Sequence, residues 1–370
     1  MSLPMIPAAK PIIGEDERKA VDAVLASGMV AQGPEVKAFE EEFAAHFTPG
    51  YACVAVNSGT SGLHLGLLAA GIGPGDEVIV PSFTFAATGN AVALTGATPV
   101  FADIEPDYFC LDPESVRASV TDRTKAIMPV HLYGHPADMP ALQAVAEDHG
   151  LMVFEDAAQA HGASLDKQQV GTFGTFGMFS LYPTKNMTSG EGGMVSCATE
   201  EIARKVRLLR NQGMERQYAN ELVGLNNRMT DIHAAIGRVQ LTKVDDWTSE
   251  RRANAAFMDA NLQGVTTPPV ADGAVHVYHQ YTIRIPGSTG PERDRVVTAL
   301  REEHQVGSGV YYPIPNHRLA SLAPYAPGLE LPETERAAAE VISLPVHPSL
   351  SQEDLDRIVT AVNTVVKAGA

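Results

Sequence analysis

The chain has 370 residues, 45% hydrophobic and 19% charged, the balance of a globular protein in water with room for two domains. Acidic residues outnumber basic ones 44 to 27, a formal charge of −17, so the surface repels phosphate backbones and anionic membranes, and neither nucleic acid nor a membrane is an expected partner. Cys53, Cys110 and Cys197 are odd in number and far apart, which argues against a disulfide scaffold or zinc ribbon and for buried thiols in a reducing cytoplasm.

The N-terminal residues lack the basic patch and apolar core of a signal peptide, and no apolar run is long enough to span a bilayer. Residues 1–15, rich in proline, read as an arm laid over another part of the protein or over a partner subunit. From Tyr51 onward the chain alternates apolar runs with helical patterns. Strands are predicted at 52–56, 77–81, 98–102, 126–130, 151–155, 177–181 and 194–197, with helices at 61–70, 84–94, 113–119 and 137–148 between them. Alternation of this kind predicts crossover connections and a mostly parallel sheet covered on both faces.

After Thr199 the pattern becomes helical, first at 200–211 and then in one long segment over 230–262. Strand-like 278–285, a helix at 293–304, strand-like 310–312 and a last helix at 352–367 follow. A boundary inside the long helix divides the chain into a large domain, 16–250, and a small one, 251–370.

Chemistry is concentrated on the large domain. Lys185 sits on a short polar turn after Ser180, and Asp156 ends the apolar run Leu151–Glu155. An amine that can form a Schiff base, with a carboxylate at a strand's carboxyl end, is what a pyridoxal 5′-phosphate (PLP) enzyme requires. The pair alone is also an ordinary feature of large α/β proteins. Asn57-Ser58-Gly59-Thr60-Ser61-Gly62 runs from a strand into a helix through small residues, so backbone N–H groups can meet an anion there. Its spacing matches neither the Walker loop nor the dinucleotide fingerprint, which favours a lone phosphate; an ordinary capped helix is the other reading. Phe83 and Phe85 lie on one side if the chain stays extended, and either could stack on a planar ring or belong to the core. His131 with His135, and His276 with His279, lack the spacing of a metal site. No Gly-x-Ser-x-Gly elbow surrounds Ser180. Asn226 and Arg228, in the loop before the long helix, could reach a phosphate in the same chain or across a dimer.

Taken together, the motifs Asn57–Ser61, Gly73–Pro81, Pro129–Gly134, Glu155–Gly162, Thr184–Asn186 with Gly190–Gly193, and Asn226–Met229 resemble the DegT/DnrJ/EryC1/StrS family of PLP-dependent nucleotide-sugar aminotransferases. The resemblance covers nearly the whole chain, with the motifs in the family's order. It implies a fold-type I aminotransferase: a large α/β domain with a mostly parallel, mixed sheet covered by helices, and a smaller C-terminal α+β domain. It also implies a homodimer with shared active sites, in which glutamate donates an amino group to a nucleotide-linked keto sugar. Lys185 would carry the cofactor and Asp156 would pair with its ring nitrogen. Gln159 would lie near the phenolic oxygen and Phe85 would stack on the ring. Gly59, Thr60, Ser61 and Ser180 would hold the phosphate, with Asn226 reaching it from the neighbouring subunit. Tyr312 and His317 would border the sugar; their being surface packing is the other reading. Leu181 and Asn227 depart from the family pattern, which often has aromatics there. Dehydratases of the family carry histidine in place of the lysine, so Lys185 favours transamination over dehydration, and the intact set Lys185, Asp156, Gln159 and Ser180 argues against a non-catalytic regulatory role.

Overall fold

A computed structural model describes residues 4–369. Seven strands form one sheet: β1 (Ala52–Val56), β2 (Glu77–Pro81), β3 (Thr98–Ala102), β4 (Thr124–Ile127), β5 (Met152–Asp156), β6 (Phe176–Ser180) and β7 (Gly193–Cys197). Their order is β1-β7-β6-β5-β4-β2-β3; β7 runs antiparallel to both neighbours, and the remaining pairs are parallel. Strands buried on both faces explain the near-continuous apolar runs. Successive residues alternate between two cores: Val54, Val56, Val78 and Val80 enter one, while Cys53, Ala55 and Ile79 enter the clusters on the opposite face.

Helix α3 (Gly59–Ala69) fixes the geometry of the site. It crosses β6 so closely that a Cβ at Gly59, Gly62 or Gly66 would lie 3.1 Å from Ser180, 2.8 Å from Met178 and 2.6 Å from Phe176, respectively. Three glycines on one helical face thus meet alternate residues of one strand, and this contact sets the N-terminus of α3 beside Ser180.

Two helices precede the sheet, α1 (Glu15–Ser27) and α2 (Pro34–Phe47), and both pack on α8 (Asp231–Leu241). The long helix expected over 230–262 is two helices, α8 and α9 (Val244–Asn261). At the break Thr242 Oγ1 donates to the Val239 carbonyl (2.8 Å) in place of regular helix pairing, and Lys243 turns to Asp16 and Glu17 of α1.

A separate core gathers Ile6 with residues between Ala255 and Val362, built on the antiparallel pair β8 (Tyr281–Arg284) and β9 (Val341–Leu344) with α10 (Gly290–Glu302) and α12 (Gln352–Gly369). Within the arm, Ile6 bridges to Val306 and the Ile12 carbonyl accepts from Gln240. A single cut near 250 does not sort the packing. Leu322 and Leu331 enter one core of the seven-stranded sheet, and Ala337 and Ala338 of α11 (Pro332–Glu340) enter the other. The strand expected at 310–312 is absent; Gly309 alone bridges to Ser343, and Tyr312 has a φ of 60°.

Candidate active site

At the carboxyl ends of β5 and β6 the chain encloses a cavity of about 490 Å³ lined by Gly59, Thr60, Phe85, Asp156, Gln159, Ser180, Lys185 and Tyr312. In open α/β sheets this edge is where ligands bind. Eight residues singled out in the sequence therefore meet in one place, although they span more than 250 positions.

One end of the cavity is the N-terminus of α3. Ser58 caps the helix, taking the Ser61 N–H on its hydroxyl (3.1 Å) and the Gly62 N–H on its carbonyl (3.0 Å). The N–H groups of Gly59 and Thr60 have no partner inside the helix and form, with the Ser180 hydroxyl, a cradle for an anion. Ser61 lies behind this cradle: its hydroxyl pairs with that of Ser58 at 2.9 Å, and it does not line the cavity.

Asp156 is buried, accepting from Thr88 Oγ1 (2.8 Å) and the Ala158 N–H (3.2 Å). Burial pushes its carboxyl pKa up; the two hydrogen bonds and the Lys185 charge pull against that rise. Lys185 follows a turn closed by its N–H to the Tyr182 carbonyl (2.9 Å); it is half-buried and lines the cavity. Burial lowers its pKa to about 8, with Asp156 opposing the change. Such an amine has a minor but usable neutral, and so nucleophilic, fraction near physiological pH, far larger than that of a lysine in water. Gln159 donates to the Tyr312 hydroxyl (2.7 Å) and accepts from the Tyr133 N–H (2.6 Å), which fixes its orientation against the cavity.

Phe83 and Phe85 do not share a side. Phe83 is fully buried against Phe109 and Tyr312, whereas Phe85 is 64% exposed at the cavity rim, because the chain bends after Pro81 and α4 (Ala87–Leu94) starts three residues later than expected. His317 does not reach the cavity. It is buried with Nδ1 against Ser82 Oγ (2.7 Å) and Nε2 against Glu335 (3.2 Å), so it anchors the 315–318 turn to the strand end after β2. Asn226 is exposed and also lies off this cavity, and Arg228 donates to Asn211 Oδ1 (2.7 Å).

The pattern of the DegT/DnrJ/EryC1/StrS aminotransferase family matches residues 11–363. The chain belongs to this family. Among its relatives, UDP-N-acetyl-3-dehydro-alpha-D-glucosamine 3-aminotransferase of Acidithiobacillus ferrooxidans is 43% identical over 335 residues, covering 89% of this chain and 88% of that protein. The crystal structure of Streptomyces venezuelae DesV in complex with a ketimine intermediate matches with a TM-score of 0.91 at 39% identity, over 98% of this chain and 99% of that one. The PLP-form of the sugar aminotransferase Spr1654 from Streptococcus pneumoniae, itself described as putative, matches with a TM-score of 0.94 at 28% identity, over 99% and 100% of the two chains.

Several lining residues of this aminotransferase fold were given no part in the site by the sequence reading: Thr84, Tyr182, Glu191, His279, Gln280 and Tyr311. His279 faces Asn186 Oδ1 (3.3 Å) and comes from a stretch 94 residues beyond Lys185, so no local pattern could have placed it. Thr88 was within reach of sequence reasoning, since a hydroxyl one turn after Thr84 on a helix at the sheet edge can face a strand-end acid. Among the described residues no cluster of His, Cys, Asp and Glu could hold a metal ion, and no helix is long and apolar enough to cross a membrane.

Proposed function

We propose that the chain transfers an amino group from glutamate to a keto sugar linked to a nucleoside diphosphate, with PLP held in the cavity and a homodimer completing each site. One observation carries this reading: a nucleophilic amine, a buried carboxylate and an unfilled helix N-terminus converge on a single cavity. The relative from Acidithiobacillus ferrooxidans, whose name specifies a UDP-linked 3-dehydro sugar, supports the substrate class.

These residues fit a flat phosphorylated pyridine. Gly59, Thr60 and Ser180 would hold the phosphate, Asp156 the ring nitrogen, Gln159 the phenolic oxygen and Lys185 the aldehyde carbon, with Phe85 against the ring face. When bound, PLP supplies an electron sink for the carbon that loses its proton. Asp156 contributes a carboxylate whose raised pKa a facing cation would bring back down, so the acid is ionised when it is needed. Lys185 Nζ, partly neutral near its pKa of about 8, would take the proton from the donor carbon that bears nitrogen and pass it to the carbon that was the cofactor's aldehyde. Tyr312, held by Gln159, flanks the space left for the sugar. Asn226, exposed and away from its own cavity, would serve the phosphate of the partner's site.

The test is a screen of nucleotide-linked 3-keto and 4-keto sugars with glutamate, read by product mass. An added nitrogen is expected with the intact chain, and Lys185→Ala should lower turnover at least ~10³-fold, the scale of a lost proton shuttle. Full activity in that variant, or no nitrogen gain with any sugar, rejects the proposal.

A further inference from the structure

A second cavity, of about 450 Å³, shares no lining residue with the first. It lies where the loop after β3, residues 266–269, β8 and α11 meet, with Pro106, Pro268, Pro269 and Pro286 giving it a stiff apolar rim. Arg284 lines it from β8 and is only 9% exposed. The guanidinium lies 4.5 Å over the Phe109 ring, and Nη1 is 3.6 Å from Glu340, yet among the described residues Nε and Nη2 have no hydrogen-bond partner. Buried N–H groups of a cation are costly when idle. Glu340 does not fill the need, because its Oε1 takes the Gly287 N–H at 2.9 Å and its Oε2 faces Nη1.

Nε and Nη2 form the side edge of the guanidinium fork, the edge that grips two oxygens of a carboxylate or phosphate at once. Arg336 of α11 lines the same cavity and, among the described residues, pairs only with Glu333, a neighbour on its own helix. Burial, and then the Arg336 charge, push the Arg284 pKa down, so the two cations are close enough to oppose one another. An anion between them would relieve both the unpaired fork and the repulsion. Asp107 is the other acid on the wall, and Thr266, Thr267 and Thr282 add hydroxyls to the lining.

We propose that this cavity is a second binding site, taking a small oxyanion, carboxylate or phosphate, on the Nε/Nη2 edge of Arg284 with support from Arg336. The site is one aromatic layer from the reaction cavity: Phe109 meets Tyr133 at 5.7 Å, and Tyr133 stacks on Tyr312 at 6.3 Å. The proposal does not depend on which sugar is the substrate.

The experiment follows thermal denaturation of the PLP-loaded enzyme in inorganic phosphate, succinate or chloride at matched ionic strength. A saturable rise in midpoint with phosphate, succinate or both, and not with chloride, is expected. Phosphate alone assigns a phosphoryl ligand; succinate alone assigns a carboxylate. Arg284→Met should abolish the saturable response. Arg336→Gln, at a half-exposed side chain, should weaken the apparent affinity at least about tenfold, the worth of one charge-assisted hydrogen bond. No saturable response to either anion, or an undiminished one in Arg336→Gln, overturns the proposal. Should Arg284→Met fail to fold, Arg336→Gln decides alone.

Discussion

Glu155 and Asp156 are adjacent on β5, both buried, and serve opposite ends. Strand alternation sends them to different faces of the sheet. Glu155 uses both oxygens fully: Oε1 accepts from the N–H groups of Phe173 (2.7 Å) and Gly174 (3.0 Å), and Oε2 accepts from Gly171 N–H (2.6 Å) and faces His131 Nε2 (3.0 Å). Asp156 has two donors, Thr88 and the Ala158 N–H, and turns its remaining capacity to the cavity. A buried acid with every lone pair occupied ties down a loop; one left partly unpaired has been kept for a ligand. The same distinction separates Arg284, whose Nε and Nη2 are idle, from Arg204, whose exposed Nε and Nη2 are both engaged by Glu215 and Glu221.

The contrast can be broken by exchanging the two acids' consequences. Asp156→Asn is expected to cut turnover on the order of 10³-fold, measured in single-turnover assays with excess cofactor, without lowering the denaturation midpoint. A loss of stability in place of rate would put Asp156 in the same class as Glu155. Glu155→Gln should do the reverse, since an amide cannot accept from four donors. A loss of about 3 kcal/mol in urea denaturation is expected, with the folded fraction retaining its specific activity.

A pH series sharpens the same point. His161 is packed among Phe43, Phe47 and Phe179, and burial holds its pKa down to about 3, against 6.5 when unfolded. The unfolded chain therefore takes up a proton below pH 6.5 that the folded chain refuses until about pH 3. Stability contributed by this group is present above 6.5 and falls as pH drops through that window. His276, also near 3, and His135, near 4, act in the same direction. Unfolding free energies from urea denaturation at pH 7 and 4.5 should differ by on the order of 2 kcal/mol per histidine, and His161→Phe should remove one such share. Last in size is Thr88→Ala. Loss of its hydrogen bond removes a pull that lowers the Asp156 pKa, so the acid limb of the rate profile should move to higher pH, with turnover at neutral pH falling only several-fold.

Much of this architecture could be read from residue patterns, and the failures have physical causes. Strands buried on both faces leave long apolar runs, so all seven were found within a few residues of their ends. Lys185, Asp156 and Gln159 belong to contiguous motifs and were legible for that reason. Helix α1, capped locally by Glu17 on the Gly14 N–H (2.8 Å), was overlooked, and so was α2, whose capping lies elsewhere: Asp231, 198 positions away from Gly33, accepts its N–H (2.7 Å) and that of Val36 (3.0 Å). The sequence around Gly33 carries no side-chain cap of its own. His317 was misplaced for a similar reason. Its partners Ser82 and Glu335 come from two distant stretches, and the contact closes behind the cavity wall, not on it.

The return of residues 319–340 to the seven-stranded sheet has a consequence for how the polypeptide is made. Leu322 and Leu331 complete a core begun by Val54, and Ala337 and Ala338 complete the other, so neither is finished while the ribosome still holds the last quarter of the chain. The nascent sheet must wait with apolar surface uncovered, which makes slow synthesis or early termination a route to aggregation and gives a chaperone a defined interval in which to act.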